Sequence, residues 1–225
     1  QLAWRMLMRR CPARSLTIVG DVAQTGDLGG LRSWGEALDP YVKDRWRLAP
    51  LTVNYRAPAE VMAVAADVLA AIDPDLSTPR SVRESGHEPW HLQAAPGELA
   101  VTVAQAATRL AEQAGDGKLA VIVPDALAAE LGPAVTAALP GTAIGADPDL
   151  TSPVVVLTVK QAKGLEFDCV LIAEPSGLLT ESPRGLNDLY VALTRATQQV
   201  GVVHEGPLPA VLSRLSPAAL ATQAG

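Results

Sequence analysis

The sequence predicts an α/β fold in three layers, α/β/α, with helices on both faces of a mostly parallel sheet. The continuous apolar run Leu119–Val123 is typical of a strand buried on both faces of a parallel sheet. Apolar residues at helical spacing precede this run over 100–114 and follow it over 126–139. Because helices and strands alternate at these lengths, we expect a parallel sheet covered on both sides.

Further patterns predict the other elements of the chain. Short apolar or alternating runs predict strands at Ser15–Val19, Arg45–Val53, Trp90–Leu92, Val154–Leu157, Cys169–Ile172 and Gln199–Val203. Helical spacing predicts helices over Leu2–Arg10, from Pro58 onward, over Asn187–Thr197 and within 207–225, and Leu31–Leu38 is an amphipathic stretch. Proline, glycine and polar residues predict irregular loops over Asp73–Glu98 and Glu174–Arg184.

Composition excludes several classes of protein. Of the 225 residues, 48% are hydrophobic and only 4% aromatic, so a sizeable core must be built mainly from Ala, Val and Leu. The net charge of −6 argues against a free-standing nucleic-acid binder, which usually carries a basic face. No apolar stretch is long enough for a membrane span, and the Cys and His residues lack metal-ligand spacing. The chain starts within a helix and has no signal peptide, so we expect part of a longer, cytoplasmic protein with no metal site of its own.

The charged segment Thr158–Asp168, TVKQAKGLEFD, separates two apolar runs that are expected to be buried strands. Binding and catalytic residues are concentrated on loops that a rigid scaffold positions. This segment is therefore the first candidate for a functional site.

Two other segments carry residues suited to binding an anion. In GDVAQ at 20–24, Gly20 allows a sharp turn, and an acid and an amide follow at the carboxyl end of a predicted strand. In NYR at 54–56, Arg56 lies just before the helix that is expected to begin at Pro58. Each pattern alone is also compatible with an ordinary turn or a solvated arginine.

Four motifs in one order resemble motifs III, IV, V and VI of superfamily 1 helicases of the UvrD/Rep type. They are GDVAQ at 20–24, NYR at 54–56, AKGLEFD at 162–168 and LYVALTRA at 189–196. The resemblance implies a RecA-like second motor domain over 31–225, preceded over 1–30 by the C-terminal end of the first motor domain. No GxxxxGK[ST] phosphate loop occurs in the chain, so that loop and the Mg²⁺ ligands are expected in a preceding part of the protein.

The resemblance also implies roles for individual residues in ATP hydrolysis. Gln24 would sense the γ-phosphate or orient the attacking water, and Arg56 and Arg195 would act as arginine fingers. Tyr55 would stack on the adenine, Glu166 would accept a hydrogen bond from the ribose, and Gly164 would let the backbone come close. On the other side of the same loop, Thr158 and Lys160 would contact a nucleic-acid backbone.

Some features depart from an ordinary DNA helicase of this family. Residues 25–30 read TGDLGG where the family has an aromatic residue and an arginine that contact single-stranded DNA. Lys160 replaces a histidine common in motif V, and the interval from Arg56 to Thr158 leaves no room for the large helical insertion of the classical members.

A short second motor domain with these motifs resembles the HelD-type ATPases, which release RNA polymerase from nucleic acid. The preferred expectation is such a motor, with ATP and Mg²⁺ as cofactors and with its own N-terminal motor domain and RNA polymerase as partners. One alternative is a conventional ATP-dependent DNA helicase of the UvrD/Rep class, with DNA as the partner. A second alternative, from a different class, is a non-catalytic protein-docking module.

Overall fold

The structure, a computed structural model, describes residues 2–24 and 33–218. Its six-stranded sheet consists of β3 (Trp90–Gln93), β4 (Leu119–Ile122), β5 (Val154–Leu157), β6 (Phe167–Ala173), β7 (Ala196–His204) and β8 (Ser216–Pro217). The strand order is β5-β4-β6-β7-β3-β8, and each neighbouring pair is parallel. A separate parallel ladder joins β1 (Val53–Asn54) to β2 (Arg80–Ser81).

Of the helices of the described residues, the first two precede these strands and the others lie between them in the chain. They are α1 (Leu2–Arg10), α2 (Trp34–Val42), α3 (Ala59–Ile72), α4 (Leu99–Ala114), α5 (Ala128–Ala138), α6 (Val159–Ala162), α7 (Pro175–Glu181) and α8 (Gly185–Leu193). Short 3₁₀ turns lie at Asp125–Leu127 and Ala210–Leu212.

The sheet separates two apolar cores, one on each face. Alternate residues of a strand point to opposite faces, so Ala120 and Ile122 of β4 pack with α3 and α8, whereas Leu119 and Val121 pack with α4 and α5. These four side chains are at most 1% exposed. A strand that is buried on both faces must be apolar throughout, so the apolar run at Leu119–Val123 correctly predicted β4. The predicted three-layer α/β/α architecture with a mostly parallel sheet is confirmed.

Helix α3 begins one residue later than expected. Pro58 has an extended backbone and precedes the helix, which starts at Ala59. Its apolar stripe is buried as the helical spacing predicts, at Val61, Val64, Ala65, Val68 and Leu69. The stripe fixes α3 on the sheet, and the turn before the helix is thereby held at one end.

Two predicted strands near the N-terminus are wrong. Ser15–Val19 has no strand structure, and Val19 is 84% exposed. Of Arg45–Val53, only the last residue enters a strand, β1. A strand exists only where a neighbour completes its backbone hydrogen bonds, and within the described residues no strand pairs with 15–19 or 45–52. Apolar content alone could not supply that partner.

Two predictions in the C-terminal half are also wrong, and a third is not met within the described residues. The expected loop Glu174–Arg184 contains α7, which starts with Pro175 at its first position, where proline is favoured. The helix expected over Asn187–Thr197 ends at Leu193, because Ala196 already pairs with Phe167 in the sheet. The predicted helix of the tail is absent from 207–218, which contain a 3₁₀ turn and β8, and residues 219–225 lie outside the described part.

The N-terminal residues form a small cluster of their own. Ala37, Leu38 and Val42 of α2 are its buried members, and partly buried side chains of 4–18 and 34–46 surround them. No residue of α1 is buried. The division of the chain into 1–30 and 31–225 stays a prediction, since residues 25–32 lie outside the described part.

Candidate functional site

Arg56 lies in the turn between β1 and α3. The Oδ1 atom of Asn54 accepts hydrogen bonds from the N–H groups of Arg56 at 2.8 Å and of Ala57 at 3.2 Å, so one asparagine side chain closes the turn. The side chain of Arg56 is 72% exposed, and its neighbour Tyr55 is 71% exposed. Both side chains are therefore accessible to a ligand.

Glu166 meets Arg56 from the other side of the site. Its Oε1 atom lies 2.8 Å from Nε of Arg56, with 39% of the glutamate side chain exposed. The preceding Gly164 has φ +83, a conformation that glycine adopts at no steric cost, and open space surrounds the position of its missing Cβ. In this structure, backbone conformation and not crowding requires the glycine.

Arg195 occupies the buried end of the same site and is 6% exposed. Its Nε donates to the carbonyl oxygen of Val191 at 3.1 Å, and its Nη1 donates to that of Leu165 at 3.1 Å. Its Nη2 donates to Oε1 of Gln24 and to Oγ1 of Thr194, each at 3.3 Å. The guanidinium thus links α8, the start of β6 and the GDVAQ segment.

The charges of Arg195, Glu166 and Arg56 influence one another. Burial lowers the pKa of Arg195, Glu166 opposes that shift, and Arg56 acts in the same direction as burial. Two arginines therefore interact with one carboxylate. Such a group of charges is suited to exchange the carboxylate for another anion, because forked guanidinium groups match carboxylate and phosphate oxygens alike.

Gln24 is held between Arg195 and an acid. Its Nε2 donates to Oδ2 of Asp21 at 2.9 Å, while its Oε1 accepts from Arg195. The segment is anchored from α8 as well, since Nδ2 of the buried Asn187 donates to the carbonyl oxygen of Ala23 at 2.7 Å. Asn187 was not among the predicted site residues, because a polar residue in the first turn of a helix is common and gave no signal of its own.

The structure brings four predicted residues together, namely Gln24, Arg56, Glu166 and Arg195, with Tyr55 and Gly164 next to them in the chain. Glu166 and Arg195 precede β6 and β7, so this group lies at the amino edge of the sheet. Their individual roles in nucleotide chemistry stay predictions.

Thr158 and Lys160 lie at the opposite, carboxyl edge. Thr158 follows β5 and begins α6, where its N–H donates to Oε1 of Gln161 at 2.8 Å in a capping box. Nζ of Lys160 lies 3.0 Å from Oδ2 of Asp125, which follows β4. The segment Thr158–Asp168 therefore crosses from one edge of the sheet to the other.

The surroundings of Lys160 are acidic. An open pocket of about 270 Å³ is lined by the acids Asp125, Glu181 and Asp188 and by apolar residues that include Leu178. A hydrogen bond and the charge of Asp125 raise the pKa of Lys160, and Asp188 and Glu181 add to this effect. Burial raises the pKa of Asp188. Sequence reasoning missed these acids because they come from three separate segments.

Within residues 2–24 and 33–218, no three His, Cys, Asp or Glu side chains are grouped so that they could hold a metal ion. No helix in that part of the chain is long and apolar enough to cross a membrane.

Comparison with known proteins gives matches at the levels of family and fold. Residues 153–203 match the UvrD-like helicase C-terminal domain. The fold is similar to the crystal structure of the C-terminal domain of a possible DNA helicase from Lactobacillus plantarum WCFS1, with a TM-score of 0.53, 20% identity, and coverage of 72% of this chain and 94% of that one. A helicase of an arterivirus, nonstructural protein 10 in complex with DNA, matches with a TM-score of 0.40, 14% identity, and coverage of 60% of this chain and 35% of that one. No curated protein matches the sequence.

The family match covers the two longest motifs, AKGLEFD and LYVALTRA, together with the strands that carry them. It includes Glu166 and Arg195, and the fold around it is that of the similar helicase domain. Residues 153–203 of this chain are therefore similar to the UvrD-like helicase C-terminal domain, and the fold similarity extends over 72% of the chain.

Proposed function

We propose that this chain supplies the second motor domain of an ATP-dependent superfamily 1 motor. The observation that carries the proposal is the pairing of Arg56 with Glu166 at 2.8 Å, beside a second arginine, Arg195, that interacts with both charges. Hydrolysis of ATP builds up negative charge on the γ-phosphate, and positioned guanidinium groups are the usual means to stabilise it.

A triphosphate would fit this set of donors. Arg56 is exposed and needs only to exchange one carboxylate for phosphate oxygens, whereas Arg195 reaches the same region with Gln24 on its Nη2 atom. Release of Glu166 from Arg56 would leave its carboxylate free to accept a hydrogen bond from the ribose. The phosphate-binding loop and the Mg²⁺ ligands would come from a preceding first motor domain, and Mg²⁺ would neutralise phosphate charge there.

The target of the motor is the second part of the proposal. Release of RNA polymerase from nucleic acid is favoured by the surroundings of Lys160, the residue expected to contact a nucleic-acid phosphate. Its ammonium is paired with Asp125, and Glu181 and Asp188 lie in the same pocket, so the local charge repels phosphate. A conventional DNA helicase would need this contact, or another, to grip its strand.

ATP turnover by the full-length protein tests the first part. Arg56→Ala should lower turnover about 10³–10⁵-fold, the range expected for an arginine finger. Arg214→Ala is the matched control, because Arg214 is also an exposed arginine in an ion pair, 2.7 Å from Asp67, and should leave turnover unchanged. The isolated 225-residue chain should hydrolyse no ATP, since it has no phosphate loop. Equal turnover in the two variants would remove Arg56 from the site and favour a docking module.

Two assays of the full-length protein test the second part. One measures whether it co-purifies with RNA polymerase, and the other measures strand displacement on a tailed duplex. We expect ATP-dependent release of polymerase from a stalled complex and no displacement of the strand. Strand displacement without any binding of polymerase would identify a conventional helicase instead.

A further inference from the structure

The segment that follows β2 packs against the turn that carries Arg56. Nη1 of Arg83 donates a hydrogen bond to the carbonyl oxygen of Arg56 at 3.2 Å. The main-chain carbonyl of Arg83 in turn accepts from the N–H of Ala59, at 2.8 Å, in the first turn of α3. Just before it, the hydroxyl of Ser81 donates to the carbonyl oxygen of Ala57 at 2.7 Å. We call residues 82–86 the Arg83 loop.

Glu60 holds the far end of the Arg83 loop. Its carboxylate accepts hydrogen bonds from the N–H of Ser85 at 3.1 and 3.2 Å and from that of Gly86 at 2.8 Å. Although burial opposes the charge, these main-chain donors and the N–H of Glu60 itself keep the pKa of this carboxyl below its ordinary value. At the near end, the N–H of Val82 donates to the carbonyl oxygen of Asn54 at 3.1 Å, which continues the β1–β2 ladder.

These contacts fix the backbone of Arg56, while its side chain is exposed and can meet a ligand by exchanging its partner Glu166. Asn54 accepts from its N–H, Arg83 donates to its carbonyl, and 72% of its side chain is exposed. A hydrogen bond from a charged guanidinium is stronger than one from a neutral donor. Errors of about 1 Å in the placement of a catalytic group can cost about a hundredfold in rate, so the backbone that aims Arg56 matters as much as the guanidinium itself.

We propose that Arg83 is a positioning residue for Arg56, with Glu60 holding the loop that presents it. This assignment rests on the proposed function, in which Arg56 meets the γ-phosphate. Arg83 acts through the main chain of Arg56 and makes no contact of its own with the nucleotide. Loss of Arg83 should therefore reduce stabilisation of the transition state, which depends on accurate placement of Arg56, more than it reduces the affinity for ATP.

The test measures ATP hydrolysis by the full-length protein with Arg83→Ala, Arg56→Ala and the double variant. Arg83→Ala should lower kcat about tenfold to a hundredfold with little change in KM. Single turnovers with enzyme in excess keep the residual rate of the Arg56→Ala variants measurable. Because Arg83 acts only through Arg56, the double variant should be no slower than Arg56→Ala, to within about twofold.

Arg80→Ala is the matched control. Arg80 is an exposed arginine three positions earlier, and among the described residues its side chain makes no hydrogen bond or ion pair. It should show normal kcat and KM. Thermal melting of each variant checks that the fold is retained, and only a loss of rate in a folded variant counts in favour of positioning.

The other possible outcomes distinguish failure of the positioning role from failure of the proposed function. Normal kcat in Arg83→Ala overturns the positioning role, as does a raised KM with unchanged kcat, which would mean direct contact with ATP. A double variant slower than Arg56→Ala by the product of the two single losses means independent action and also overturns it. No effect of Arg56→Ala, or no ATPase in the wild-type protein, overturns the proposed function itself and the assignment of Arg83 with it.

Discussion

Replacement of Arg195 by alanine should destabilise the chain itself, independently of any ligand. Arg195 is 6% exposed, and Leu165 would lose the guanidinium donor to its carbonyl oxygen. A fully buried carbonyl left unpaired costs about 1–3 kcal/mol, and the lower part of that range applies here because this hydrogen bond is only partly buried. The two methylene groups lost beyond Cβ contribute about 0.8 kcal/mol each. The Val191 carbonyl keeps the hydroxyl of Thr194 as a donor, so we expect a total of about 2–4 kcal/mol.

Arg56→Ala is the matched control for this measurement. It removes an arginine of the same site, but that side chain is 72% exposed and makes one ion pair at the surface. Exposed pairs of this kind contribute about 0–1 kcal/mol. Comparison of the two variants thus separates the buried arginine from the exposed one.

Urea unfolding of the 225-residue chain, followed by the fluorescence of its four tryptophans, measures the difference. For a slope of about 2 kcal/mol per molar urea, Arg195→Ala should lower the midpoint by about 1–2 M, and Arg56→Ala by less than about 0.5 M. Midpoints that agree within error would refute the reasoning, because they would mean that the hydrogen bonds of Arg195 contribute nothing to the folded chain. The expected difference is also the reason for using Arg56→Ala in the turnover experiment. A variant that loses the folded state would lose turnover without any role in catalysis.

Two further predictions concern titratable side chains. Burial, with a contribution from the charge of Asp168, raises the pKa of Cys169 to about 11. At pH 8 a thiol reagent should therefore label only the half-buried Cys11 in the folded chain, and both cysteines in urea. Equal labelling rates of the two cysteines in the folded chain would contradict this. Burial and then the charge of His204 lower the pKa of His91, so the folded chain binds its proton less readily than the unfolded one. Stability from this site should be complete above about pH 6.5 and be lost as the pH falls below it, and His91→Gln should flatten that slope.

The central strands were predictable because burial leaves them only one kind of residue. All four residues of β4 are at most 1% exposed, and a strand in that environment reads as an unbroken apolar run. The mostly apolar run Ser15–Val19 was also predicted to be a strand, yet it forms none, and Leu16 and Val19 are 37% and 84% exposed. Whether an apolar run pairs depends on residues far away in the chain, which no local pattern records.

Glycine and proline misled the prediction of α7 for a related reason. Pro175 and Gly177 suggested a loop, but Pro175 occupies the first helical position, where its missing N–H has no cost. A Cβ on Gly177 would lie 2.7 Å from the ring of Pro124, so this glycine allows two segments to approach closely. Both residues are compatible with the helix for reasons of position and packing, whereas their local propensity alone predicts a loop.

The residues of the candidate site also fall into those that a local pattern predicts and those that it does not. Gln24, Arg56, Glu166 and Arg195 were found because each lies in a motif with a recognisable string, and the fold brings these strings to one edge of the sheet. Arg83 has no such string. It lies in a polar loop between two prolines, and its value depends on a contact with the main chain of Arg56, 27 residues earlier.

The segment Thr158–Asp168 connects the two edges of the sheet and is held at several points along its length. Near its start, Nε2 of Gln161 donates to the carbonyl oxygens of Gly145 and Ala146 at 2.8 and 3.0 Å. Near its end, the carbonyl oxygen of Leu165 accepts from Arg195. Residues 163–166, between α6 and β6, lie outside any helix or strand and include Gly164 and Glu166. The anchors at Gln161 and Leu165 therefore hold the segment on both sides of Gly164, and Glu166 follows directly after the second anchor, where it meets Arg56.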